Sequence, residues 1–152
     1  MRWQGNARVR AAIDGETVAV QFTGATSGSR EPARRAAELF RRDFPRRGPD
    51  YRPYAVHVWI EGVERNRRLD VDNVAKAALD ALTGLVWRDD RQVVRLVVEK
   101  FAEGAPRVTV LARPAELPAD APGLDTPPFT LDHDRGSTTL DGREPTSRGD
   151  GS

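Results

Sequence analysis

Over residues 8–13 and 17–22, small apolar residues alternate with polar ones on either side of Asp14-Gly15. That pair suits a two-residue turn whose central positions both take positive φ, so a β-hairpin is expected. Residues 23–29 are a Gly/Ser/Thr loop. Over residues 31–44, Ala36, Ala37, Leu39, Phe40 and Phe44 fall near one face of a helix; Arg34, Arg35, Arg41 and Arg42 cover the rest and Pro45 closes it. Residues 54–60 then set Tyr54, Val56, Val58 and Ile60 against Ala55, His57 and Trp59, the period of a strand with one buried face.

A second helix is expected after Leu69. Asp72 is a suitable N-cap and Gly84 a suitable stop, and Val74, Ala75, Ala78, Leu79 and Leu82 form an apolar stripe between them. Asp72, Lys76 and Asp80 follow one another four residues apart on a different face. Residues 93–101 and 107–111 read as two further strands separated by a Gly/Pro turn. The order strand, strand, helix, strand, helix, strand, strand predicts a single compact α+β domain, with a mixed β-sheet packed by two helices. It spans residues 1–112, with 1–15 as an N-terminal extension or hairpin arm.

Composition separates the remainder. Residues 113–152 hold six of the eleven prolines, five glycines and eight acids, and are expected to form a disordered Pro/Gly/Asp-rich tail. Residues 1–112 carry 20 bases and 15 acids, net +5, and residues 113–152 carry 4 bases and 8 acids, net −4, so the overall +1 hides a basic body. A basic body suits a polyanionic partner. Cysteine is absent, which excludes disulfides, thiolate metal sites and thiol nucleophiles. The two histidines, one in a strand pattern and one in the tail, do not suit a His-ligated zinc. No hydrophobic stretch approaches the roughly 20 residues of a membrane span, so no membrane partner and a cytoplasmic location are expected.

The chemistry concentrates in residues 67–93, where five acids accompany Lys76, one of only two lysines among 24 basic residues. A lysine kept against such a bias toward arginine points to a need for a compact ammonium charge. Asp70 and Asp72 lie two apart where an extended segment enters a helix, and in extended geometry such a pair faces one side. With Asp89 or Asp90 they make the carboxylate set of a hard cation facing phosphate oxygens. Each part has a plainer reading. Asp72-Asn73 also caps a helix, Lys76 and Asp80 also make an i,i+4 ion pair, and Asp89-Asp90 also makes a polar turn. The joint spacing says more than its parts.

Asp70-Val71-Asp72-Asn73, Lys76, Asp80-Ala81-Leu82-Thr83 and Trp87-Arg88-Asp89-Asp90-Arg91-Gln92-Val93 resemble the signature of the RusA family of Holliday junction resolvases. The resemblance implies a RusA-like fold and a homodimeric, Mg²⁺-dependent endodeoxyribonuclease, with Mn²⁺ as a substitute. It further implies paired symmetric nicks in four-way junction DNA, in the service of recombination and repair. Carried over by position, Asp70, Asp72 and Asp90 are the metal-binding and catalytic aspartates and Lys76 the catalytic lysine. Asn73, Asp80 and Asp89 are accessory neighbours. Arg46, Arg47, Arg65, Arg67 and Arg68 are the candidate phosphate contacts, which would position DNA without reading much sequence. The alternatives are a non-catalytic DNA-binding module on the same scaffold and a nuclease for other branched DNA. The intact acids argue against the first, since a binder gains by losing negative charge near phosphates.

Overall fold

A computed structural model describes residues 1–24, 30–65, 69–121 and 123. Six strands, β1 (Gln4–Gly5), β2 (Val9–Asp14), β3 (Thr17–Thr23), β4 (Tyr54–Glu61), β5 (Val93–Phe101) and β6 (Arg107–Pro114), and two helices, α1 (Glu31–Asp43) and α2 (Val71–Leu82), make the α+β domain that the alternation predicts. The sheet order is β1-β2-β3-β6-β4-β5. It is mixed: β4 and β5 run parallel and every other pair is antiparallel.

Strand β4 shows why the residues fold this way. Its members alternate strictly between buried and half-buried, and Tyr54, Val56, Val58 and Ile60 join Val18, Val20, Phe22, Val108 and Val110 in one core. Helices α1 and α2 close that core with Ala36, Leu39 and Phe40 and with Val74, Ala78, Ala81 and Leu82. The other face of the sheet is more polar. There Arg10 Nε donates to Gln21 Oε1 at 2.6 Å, Gln21 Nε2 donates to Thr109 Oγ1 at 2.9 Å, and His57 Nε2 meets Glu99 Oε2 at 2.5 Å.

The hairpin forms, but its turn is one residue further on than expected. Asp14 pairs with Thr17, so the central residues are Gly15 and Glu16, and only Gly15 has positive φ, at 58°. A turn of the II′ kind needs glycine at its first central position alone, which leaves Asp14 free to end the strand. Val9–Asp14, all of it within the expected N-terminal arm, is paired with β3 along its whole length.

Strand β6 runs past the boundary expected at Arg113: it continues through Arg113 and Pro114, opposite Ala55 and Tyr54, and Ala115 N donates to Pro53 O at 2.9 Å. The chain divides into one unit over Met1–Leu117 and a second over Pro118–Ser152, and most of the second lies outside the described residues. Among the described residues no helix is long and apolar enough to cross a membrane.

Candidate active site

Helix α2 begins two residues before the position that the sequence suggests. Its N-cap is Asp70, in extended geometry, whose Oδ1 accepts from Asp72 N at 3.1 Å, and whose Oδ2 accepts from Asn73 Nδ2 at 3.4 Å. Asp72 is therefore a first-turn residue, and the cap is Asp70. The expected extended i,i+2 geometry gives way to a pair spanning a helix start. The exposed N–H groups and the dipole of that start favour negative charge, so two carboxylates sit there at low cost.

Asp70, Asp72, Asn73, Lys76 and Asp80 are all exposed, whereas Val74, Ala75, Ala78, Ala81 and Leu82 are buried. The helix thus offers its polar face to solvent. Gly84, at φ 84°, follows the C-cap Thr83 and ends it.

The approach to this helix is held at the far end of the sheet. Gly62, at φ 74°, leaves no room for a side chain, because a Cβ there would lie 2.8 Å from Pro106 N and 2.9 Å from Gly104 O. A short 3-10 turn, Val63–Arg65, follows. Glu64 N donates to Ala102 O at 3.2 Å, and Lys100 Nζ donates to Leu69 O. Asp70 therefore stands beside the end of β5. Arg67 and Arg68 lie outside the described residues.

The second acid pair is built differently. Asp89 caps a 3-10 turn, Asp90–Gln92, through a capping box with Gln92. Gln92 clamps this turn: its Oε1 accepts from Arg88 N at 2.9 Å and Asp89 N at 3.0 Å, and its Nε2 donates to Asp50 O at 2.8 Å and Arg52 O at 2.9 Å. Beneath it, Trp87 is fully buried, its Nε1 donating to Thr83 Oγ1 at 3.1 Å and its ring centroid 5.6 Å from that of Tyr54.

Asp89 is engaged by Arg91, whose Nε and Nη2 reach its two oxygens at 3.1 and 2.9 Å. The side-chain hydrogen bond from that guanidinium, with a smaller one from Arg91 N, holds its carboxyl far below the usual aspartate value. Asp90 is exposed and takes no part in the Arg91 fork. Of the pair, Asp90 is the one with its carboxylate uncommitted to that fork.

The two acid groups lie toward opposite ends of β5. Val93 N donates to Asp90 O at the start of the strand, whereas Leu69, the residue before Asp70, accepts from Lys100 near the other end. Seven residues separate Val93 from Lys100, about 23 Å at the rise of a strand. The sequence suggests that Asp70, Asp72 and Asp90 converge, and within one chain they do not. Among the described residues no group of three or more His, Asp or Glu side chains is placed to hold a metal ion. The reason is topological: α2 and the loop after it carry the chain back along the sheet before β5 begins.

The arginines divide in the same way. Arg46 and Arg47 line a shallow cleft with Ile13, Phe44 and Pro45, and Arg47 Nη2 donates to Glu16 O at 3.4 Å. Arg52 links Glu16 and Asp50, which puts this group at the Asp89–Asp90 end. Arg65 lies at the Asp70 end. Asp50, Gln92 and the exposed Tyr51, whose ring lies 4.8 Å from the Arg88 guanidinium carbon, acquire their places only through the fold. Gln92 stood in the quoted motif without a role, and its spacing of three from Asp89 is the signal of a capping box.

A family model, Endodeoxyribonuclease RusA, matches residues 34–112. The chain belongs to this family. The match encloses every candidate residue of both acid groups, and residues 1–33, with β1 to β3, lie outside it. Over 44 residues the chain is also 52% identical to the uncharacterized protein YqaN of Bacillus subtilis (strain 168). That stretch is 29% of this RusA-family chain and 31% of YqaN, so the chain spans less than a third of that relative.

Proposed function

We propose that the chain is a Mg²⁺-dependent, structure-selective endodeoxyribonuclease that resolves four-way DNA junctions by paired symmetric nicks, in recombination and repair. The observation that carries this reading is the RusA family match over residues 34–112, which encloses Asp70, Asp72, Lys76 and Asp90. Two symmetric cuts need two sites, so the working form is a homodimer.

The donor chemistry at the start of α2 fits the cation. Magnesium favours one or two carboxylates, with waters and substrate phosphate oxygens completing its shell. Asp70 and Asp72 are two exposed carboxylates, the cap of α2 and a residue of its first turn. The hydrogen bonds that Asp70 accepts leave lone pairs on both oxygens. Bound there, the ion would polarise a phosphodiester and lower the pKa of a water.

Lys76, one helical turn after Asp72, provides an ammonium that neutralises charge growing on the scissile phosphate or orients the attacking water. Asp90 is assigned as the third carboxylate, with Asp89 as its support. Arg46, Arg47, Arg65, Arg67 and Arg68 hold the junction's phosphates.

The test is incubation with labelled four-way, three-way and linear DNA, with and without Mg²⁺. Paired nicks confined to the four-way substrate are expected, only with the cation. Binding without cutting in either Mg²⁺ or Mn²⁺ would make the chain a DNA-binding module, and equal cutting of three-way DNA would make it a general branched-DNA nuclease.

A further inference from the structure

Tyr51 stands beside the Asp89–Asp90 turn, between Asp50 and Arg52. At 77% exposure it is the most exposed large apolar side chain among the described residues. A lone exposed aromatic is ordinary on a protein surface, but this one has an unusual mount. Asp50 N donates to Val86 O at 3.3 Å. Asp50 Oδ1 accepts from Arg52 N at 3.0 Å, and its Oδ2 accepts from Arg52 Nε at 2.9 Å and from Tyr54 Oη at 2.8 Å. The Gln92 amide then fixes three backbone sites at once. Its Nε2 donates to Asp50 O and Arg52 O, on either side of Tyr51, and its Oε1 accepts from Arg88 N. The backbone beneath the ring is thus held by the same side chain that holds the turn carrying Asp90.

The ring is also layered. The Arg88 guanidinium carbon lies 4.8 Å from its centroid, a cation–π contact that orients the ring, and most of the ring stays open to a further layer. Nothing nearby extends the apolar surface, since Phe44, Tyr54, Val86, Trp87 and Val93 are buried or half-buried. A protein partner seeks a patch, whereas a single ring backed by a guanidinium suits one other flat ring. The surrounding charges suit a nucleic-acid strand. Arg52 and Arg91 are paired with Glu16, Asp50 and Asp89. Among the described residues Arg46, Arg47 and Arg88 have no carboxylate partner, and they remain for phosphates.

We propose that Tyr51 is a stacking platform for one unpaired base of the DNA strand that Asp90 engages, with Arg88 holding the ring in place. The proposal rests on the reading of function given above. Base pairing is interrupted where four arms meet, so a base there leaves the stack at lower cost than one inside a duplex. A base lying on Tyr51 fixes its nucleotide beside the Asp90 turn and holds the adjoining phosphodiester near that carboxylate. The platform accepts any base, because every base has a stacking face.

Binding of labelled four-way DNA, with Mg²⁺ withheld, tests the platform. Tyr51→Ala is expected to weaken binding about 5- to 150-fold, the range for losing one base–aromatic stack, and Tyr51→Phe to bind like the parent. Because the ring is exposed, thermal unfolding of both variants should match that of the parent. Junctions with a single abasic nucleotide, stepped through the positions nearest the crossover, identify the stacked base. At one position the Tyr51→Ala penalty is expected to vanish, since the base that the ring would hold is already absent.

A Tyr51→Phe loss as large as that of Tyr51→Ala assigns the effect to the hydroxyl and overturns stacking. A Tyr51→Ala chain that binds like the parent, or a penalty that persists unchanged at every abasic position, overturns the platform and leaves the reading of function standing. A parent that binds no junction DNA, with the cation or without it, overturns that reading and the platform together.

Discussion

The two acid-bearing ends of the domain use the same residue type for different structural ends. At the start of α2, Asp70 caps a helix whose polar face is open, and Asp72, Asn73, Lys76 and Asp80 project from exposed positions. At the start of β5, Asp89 is gripped by Arg91, Gln92 ties the turn to the backbone of Asp50 and Arg52, and Trp87 roots the whole loop in the core. One end presents carboxylates on a helix, and the other positions a single carboxylate, Asp90, from a rigid mount. The difference teaches that a motif of closely spaced acids need not be one site in one chain.

The largest expected effect tests the mount. Trp87→Ala removes a fully buried ring that packs on Tyr54, and such truncations cost about 3–5 kcal/mol. Denaturant unfolding should show that loss. Native-state hydrogen exchange should show residues 88–92 opening more than residues 71–75. Equal protection at both ends would mean that Trp87 does not root the acid loop.

Next comes chemistry at the open end. Asp72→Asn keeps shape and removes one negative charge beside the phosphate. We expect Mg²⁺-dependent junction cleavage to fall about a hundredfold, near 2.7 kcal/mol in barrier, while junction binding is retained or tightened. Cleavage near the parent rate would leave Asp72 with no metal role. Lys76→Arg should behave alike: a guanidinium keeps the charge but spreads it over a fork that cannot occupy the ammonium's position.

The sequence made the elements legible and left their meeting places hidden. The alternation through Tyr54, Val56, Val58 and Ile60 is a local signal, and β4 lies where it says. The insertion of β6 between β3 and β4, which strands β5 at the edge, is a non-local choice that no local pattern encodes. The same holds for the site. Asp70, Asp72, Lys76 and Asp90 are conspicuous by type and spacing, but the separation of Asp70 from Asp90 follows from how α2 and β5 run along the sheet. At finer scale, Asp70 and Asp72 compete for the cap position. Asp70 holds it because its carboxylate reaches the N–H of the second helical residue.

That competition gives a smaller effect. Replacing an aspartate cap with alanine costs about 1 kcal/mol, so Asp70→Ala should lower stability by about that amount and Asp72→Ala by much less. The two variants, compared by thermal unfolding without metal, separate a capping role from a ligand role. The reverse order of stabilities would place the cap at Asp72.

The smallest effect is one of pH, and it belongs to the mount. Burial raises the Asp50 carboxyl, but hydrogen bonds from the Arg52 side chain and backbone and from Tyr54 Oη outweigh it, and the net shift is downward. At Asp89 the Arg91 side-chain hydrogen bond leads, in the same direction. A carboxylate whose folded pKa lies below its unfolded value, about 3.9, contributes stability that is full above that value and lost as pH falls through the folded one. Thermal midpoints of the parent should therefore drop as pH falls from about 5 to 2. The difference between parent and Asp50→Asn should shrink over the same interval, because acid removes in the parent the charge that the substitution removes in the variant. Asp89 is more exposed and its pair with Arg91 is screened by solvent, so Asp89→Asn should show the same trend with a smaller amplitude. A parent–variant difference that stays constant from pH 5 to 2 would mean that neither carboxylate gains from its partners on folding, and that hydrogen bonding by Gln92 and packing by Trp87 alone hold the loop.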